Sequence, residues 1–144
     1  MRKMFLVMWM ALALLASPFV AARATAAQLV MFEERGCPWC AAFRREVLPI
    51  YGNTDEAKVA PIRRVDIFAP RPKDLAHIRR IRVSPTFVLL DDDGREVGRI
   101  LGYPGFDTFW ELLDALLQKL ERQRKNPSAT DKGVVSDVIA ASRG

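Results

Sequence analysis

The hydrophobic and polar positions of this chain change rhythm several times. From Met4 to Ala16 the run "MFLVMWMALALLA" is unbroken apolar. "QLVMFEE", from Gln28 to Glu34, is a shorter apolar run bounded by Gly36, which predicts a buried strand. Helical signals begin at Cys37, with Pro38 suited to a first turn, and "CAAFRREVL" continues until Pro49 bends or ends the helix. "IYGNTDEA" is turn-rich and predicts a loop. "VAPIRRVDIF" predicts a second strand from Val59 to Phe68. After the break at "APRP", "KDLAHIRRI" predicts a second helix with Leu75 and Ile78 on one side. "TFVLL" and "EVGRI" predict two strands joined by an Asp-Gly turn. Phe109, Leu113, Leu116, Leu117 and Leu120 repeat at helical spacing, and Trp110 and Leu112 broaden that stripe. The predicted order is β-α-β-α-β-β-α, an α/β chain.

The ends read differently from the middle. "MRK", the apolar run and the small residues of "AARATAAQ" follow the order of a secretory signal, with cleavage after Ala26 or nearby. Residues 1–26 are therefore expected to be a signal peptide, 27–122 the folded domain and 123–144 a polar tail with a short terminal helix in "VVSDVIAAS". An uncleaved anchor is the alternative, although the apolar run is shorter than the roughly 20 residues a bilayer requires. The signal also changes the charge balance. The chain has 22 Lys+Arg against 17 Asp+Glu, and Arg2, Lys3 and Arg23 leave with the signal, so the remainder carries 19 against 17. That balance gives no support to nucleic acid as a partner. Arg63-Arg64 and "RRIR" (Arg79 to Arg82) remain as local basic clusters, read as solvated faces or as docking points.

Both cysteines lie in "ERGCPWCAAF", as Cys37 and Cys40. A disulfide closing so short a segment adds little stability, since its entropic effect grows with loop length. A structural zinc site needs four Cys or His ligands, and His77, placed on the predicted surface helix, is the chain's one histidine. Redox chemistry in an export compartment is the reading that remains. No metal and no cofactor is expected.

Two motifs carry a family resemblance: Cys37-Pro38-Trp39-Cys40 between the first strand and the first helix, and Ser84-Pro85-Thr86 just before the hairpin. Together they resemble the thioredoxin superfamily, over roughly Gln28 to Leu120. The resemblance implies a three-layer α/β/α fold with a mixed central sheet and a cis proline at Pro85 facing the cysteines. "MFEERGCPWC", "RRVDI", "SPTFVLLDDDGREVGRILGYPG" and "FWELL" further resemble the SoxS-type periplasmic thioredoxins of bacterial sulfur-oxidation systems. That resemblance implies a dithiol reductase keeping the cysteine of a SoxYZ-type sulfur carrier reduced. It also implies electrons supplied by a membrane thiol transporter of the CcdA or SoxV type. An oxidase or isomerase of the Dsb kind, a cytochrome c maturation thioredoxin, and a binding module built on the same scaffold are the alternatives.

Within that frame Cys37 is expected to be the exposed nucleophile, its thiolate favoured by the helix N-terminus, and Cys40 the buried resolving thiol. Arg35 is expected to help the thiolate, and Glu33 and Glu34 to oppose it. Pro38 and Trp39 tune the pair, Trp39 as a partner contact or as a cover for the helix end. Ser84 offers its backbone to an extended partner segment. Tyr103, in the loop Gly102 to Gly105, is a further expected contact. Met31 stands where thioredoxins carry a buried acid, and Glu33, on the same strand face, is a substitute proton relay to be tested.

Overall fold

The computed structural model describes residues 26–126. The expected signal peptide of residues 1–26, except its last residue Ala26, and the expected terminal helix in "VVSDVIAAS" lie outside the described residues. The strands are β1 (Gln28–Glu33), β2 (Ile62–Asp66), β3 (Thr86–Leu90) and β4 (Glu96–Leu101). The helices are α1 (Pro38–Glu46), α2 (Leu48–Tyr51), α3 (Asp55–Val59) and α4 (Phe106–Lys125). The strands form one mixed sheet in the order β2-β1-β3-β4. β1 runs parallel to β2 and antiparallel to β3, and β3 pairs antiparallel with β4.

Alternation along β1 divides the core in two. Leu29 and Met31 face one side, with Phe43, Val47 and Tyr51 from α1 and its continuation, Phe87 and Leu89 from β3, and Phe109, Leu113 and Leu120 from α4. Val30 and Phe32 face the other side with Val65, Leu75, Ile78, Val88 and Leu90. The helical side is rich in rings: Phe43 lies 4.6 Å from Phe87 and 5.0 Å from Phe109 between centroids. Gly98 in β4 lets α4 approach closely, because a Cβ there would sit 2.6 Å from Leu116 Cδ2.

The predicted helix at "KDLAHIRRI" is absent. Only a 3-10 turn, Lys73–Leu75, forms between β2 and β3. Its neighbours draw its polar groups outward. Arg63 Nη1 donates to Asp74 Oδ2 at 2.6 Å, and His77 Nε2 is 2.8 Å from Gly94 O. Arg99 Nη1 donates to Arg79 O and Arg80 O at 3.3 and 3.4 Å, carbonyls that a continuing helix would have used internally. Arg80, at φ 59°, leaves the right-handed helical region altogether. Leu75 and Ile78 are still buried, so the apolar spacing is met without a helix.

The predicted loop "IYGNTDEA" is largely helical instead. Pro49 falls in the first turn of α2. Thr54 Oγ1 accepts from Ala57 N at 3.3 Å and caps α3, whose first turn holds Asp55 and Glu56. β2 is shorter than expected, because Val59 belongs to α3. The hairpin turn is as predicted, with Gly94 at φ 78° and Asp91 Oδ1 accepting from Asp93 N and Arg95 N at 2.9 and 2.8 Å. α4 continues to Lys125, past the point where the sequence turns polar.

Candidate active site

Cys37 is the N-cap of α1. Its backbone is extended, with φ −68° and ψ 115°, and Pro38 occupies the first turn, where a missing N–H leaves no bond unmade. The Cys37 sulfur takes the role that a serine or aspartate oxygen has at other helix starts, accepting from Cys40 N at 3.2 Å. Cys40, one turn on, is fully buried. Both cysteines are free thiols.

The third member comes from the irregular side of the sheet. The Ser84-Pro85 peptide bond is cis, as the family resemblance implied. Cys37 Sγ donates to Ser84 O at 3.4 Å, and Cys40 Sγ lies 3.3 Å from Ser84 Oγ. A single residue thus touches both sulfurs, one with its backbone and one with its side chain. Its hydroxyl contact was not foreseen; only the order Ser-Pro-Thr ahead of a hairpin pointed to the position. Thr86, the first residue of β3, donates from Oγ1 to Val83 O at 2.6 Å and fixes the turn. The following loop closes on the same place, with Gly102 N donating to Pro85 O at 2.7 Å.

These contacts split the two thiols. Burial pushes Cys37 up, but hydrogen bonds from the Cys40 thiol, the Cys40 backbone, Ser84 and the Trp39 backbone outweigh it and bring its pKa below the ordinary thiol value. Burial also pushes Cys40 up, and there its hydrogen bond to Cys37 and the charge on that sulfur add to the effect, against smaller opposing bonds from Ser84 and the Glu34 backbone. The first thiolate to form is therefore on Cys37.

Several expectations need correction. Cys37 is not openly exposed; it is 5% accessible, whereas Trp39 two residues on is 63% exposed. Arg35 turns away from the sulfur toward Asp66, at 3.8 Å, and is otherwise in solvent. Tyr103 is a core residue rather than a surface contact. It is 6% exposed, packs edge-on to Phe43 and donates from its hydroxyl to Glu46 Oε2 at 2.6 Å. Met31 is buried on the cysteine side of the sheet, as expected. Glu33 is not a lone acid: Arg44 bonds Oε2, and Arg64 bonds Oε1 at 2.6 Å. Its carboxylate is committed to two guanidinium groups that tie α1 and β2 to the end of β1. That cluster went unforeseen, because its members lie far apart in sequence. His77 is exposed, as expected, but off any helix. Among the described residues no group of three or more His, Cys, Asp or Glu is placed to hold a metal ion.

A parallel β-α-β half, a cysteine pair starting a helix and a facing cis proline define a thioredoxin-like protein. The chain belongs to that family: the model of the thioredoxin-like domain matches residues 19–117. Among solved structures it is similar to the periplasmic thioredoxin SoxS from Paracoccus pantotrophus, at 42% identity and a TM-score of 0.60, covering 65% of this chain and 97% of that one. A thioredoxin from Thermus thermophilus is 26% identical, with a TM-score of 0.53 over 65% of this chain and 75% of that one. A thioredoxin-fold protein from Helicobacter pylori, 20% identical with a TM-score of 0.51 over 69% of this chain and 82% of that one, shares the fold. No curated protein sequence matches the chain. Among the described residues no helix is long and apolar enough to cross a membrane.

Proposed function

We propose that this protein is a periplasmic dithiol reductase acting on a protein disulfide. The observation that carries the reading is the shared contact of Ser84 with Cys37 and Cys40 at the start of α1. The Cys37 thiolate attacks one sulfur of the partner's disulfide. A mixed disulfide forms, and the partner's other sulfur leaves as a thiolate. Cys40, beside Ser84, gives its proton to the partner thiolate just released and attacks the Cys37 sulfur. The Cys37–Cys40 disulfide forms, the second partner sulfur departs, and two electrons have passed to the partner. Pro38 and Trp39 hold the geometry of the pair, and Ser84, Pro85 and Thr86 form the facing wall.

Similarity to a periplasmic SoxS supports export and a place in sulfur oxidation. On this reading the substrate is the cysteine of a SoxYZ-type sulfur carrier, and a membrane thiol transporter of the CcdA or SoxV type restores the dithiol. Removal of a signal ending at Ala26 would place a new α-ammonium group at Ala27. Ala27 is buried, and its backbone nitrogen already lies 3.0 Å from Asp92 Oδ1, a carboxylate suited to that charge.

Equilibration with glutathione tests the direction. The expected potential is more negative than the about −120 mV of strong periplasmic oxidants. A potential as oxidising as that, with oxidation of reduced unfolded substrates, would make the protein an oxidase. Cys37→Ser is expected to remove reduction of a disulfide substrate, while Cys40→Ser traps the mixed disulfide. Reduction surviving Cys37→Ser would exclude the assigned nucleophile.

A further inference from the structure

The basic cluster of residues 79–82 leads directly into the active-site wall. Arg79, Arg80 and Arg82 are all exposed, and none has a carboxylate partner among the described residues. Seven other described arginines each meet an acid within 4.0 Å, while Arg45, Arg71 and Arg122 do not, so what sets these three apart is that they sit together on one short stretch of chain. Glu96, on β4, is engaged with Arg99, accepting from it at 2.6 Å. Arg99 in turn fixes the cluster's backbone by donating to the carbonyls of Arg79 and Arg80. The cluster is thus a held row of positive charge, not a loose tail.

Its position gives that charge a use. Arg82 is two residues from Ser84, so their Cα atoms are within about 7 Å of each other. The Ser84 carbonyl is 3.4 Å from Cys37 Sγ. Screening at physiological ionic strength sets in over ~8 Å, so the arginines act on charged groups of a partner that lies alongside this stretch of chain. Val83, between Arg82 and Ser84, is 45% exposed and adds an apolar surface to the same approach.

We propose that Arg79, Arg80 and Arg82 form a docking rim that selects protein substrates whose reactive sulfur is flanked by acidic residues. The inference rests on the oxidoreductase reading above and adds the charge of the substrate to it. Such a rim raises the rate of productive encounter and leaves the sulfur chemistry untouched.

Two disulfide peptides test it, identical except that one has Asp and Glu beside the cysteine and the other has Asn and Gln. Reduced protein should show a kcat/KM about tenfold higher on the acidic peptide at low ionic strength. Raising the salt from roughly 20 to 200 mM should erase most of the difference. In a triple variant, Arg79→Gln, Arg80→Asn and Arg82→Gln, the two peptides should become equivalent, with kcat/KM on the neutral peptide unchanged. Asparagine is used at position 80 because it tolerates the left-handed backbone found there. Equal kcat/KM on both peptides in the unaltered protein, or a preference that survives in the triple variant, would overturn the proposal. So would equal peptide rates combined with arginine-dependent binding to phosphatidylglycerol vesicles, which would assign the rim to a membrane surface. Titration calorimetry with cysteine-free versions of the two peptides reads the rim separately. An acidic preference in binding without reduction of either disulfide would count against the redox reading and leave the rim standing.

Discussion

The two faces of the sheet are closed in different ways. On one face α1 and α4 lay regular helices over a cluster of rings, and Phe43 touches Phe87, Tyr103 and Phe109. On the other a 3-10 turn and extended chain cover Val30, Phe32 and Val88, using Leu75 and Ile78 as plugs. The regular face supplies both cysteines, and the irregular face leads into Ser84. The site is built where they meet. The helix gives the sulfur a fixed set of N–H groups, and the irregular segment brings a carbonyl and a hydroxyl to it without a helix's demand on those groups.

The largest expected test of this contrast is core truncation. Phe43→Ala should destabilise the protein by about 3–5 kcal/mol, the range for removing a buried ring. Ile78→Ala, on the irregular side, should cost about 2 kcal/mol, because a turn can settle into the space more easily than two packed helices can. Urea unfolding of both variants measures the difference. Equal losses would mean that the irregular face is packed as tightly as the helical one.

Ser84→Ala separates the two faces at the site itself. Loss of its hydroxyl should cost about 1 kcal/mol of stability. The same hydroxyl helps lower Cys37 and offsets part of the rise at Cys40, so removing it should move the Cys37 titration to higher pH. A higher pKa means less thiolate at neutral pH, so iodoacetamide should modify Cys37 more slowly there while still outpacing Cys40. A pH-rate profile that does not move would show that the helix alone sets the reactivity of Cys37. The smallest effect is expected at Thr54→Ala, near 0.5–1 kcal/mol, since its cap bond is long and α3 carries no buried residue. A larger loss would show that α3 braces the helical face.

This contrast also explains what the sequence made legible. Strands β1, β3 and β4, the CxxC helix and α4 have apolar patterns that match their own geometry, and local signals were sufficient. The segment from Lys73 to Ile81 has an apolar spacing that fits a helix, but its outcome depends on distant partners. Arg63, Gly94 and Arg99 capture its polar groups, and no local pattern reveals them. α3 is the opposite case: Thr54 followed by Asp55 and Glu56 is a local helix start, outweighed in the reading by the turn residues Gly52 and Asn53. At the site, Cys37 and Cys40 were legible from their spacing at a strand–helix junction, and Pro85 through the family resemblance that the Ser-Pro-Thr order carried. The ion cluster of Glu33 was not, since Arg44 and Arg64 come from separate elements.

The use of a sulfur as the cap of α1 makes the helix and the thiolate thermodynamically reciprocal. A cap of this kind contributes about 0.5–2 kcal/mol to a helix start. Whatever an ionised Cys37 gives to the folded first turn, the folded first turn gives back to the ionised form. The ease of losing that proton is therefore a property of the whole opening turn. A change at any residue that frays Pro38 to Ala41 would register as a less acidic thiol, with no atom of the cysteine or of its hydrogen-bond partners replaced.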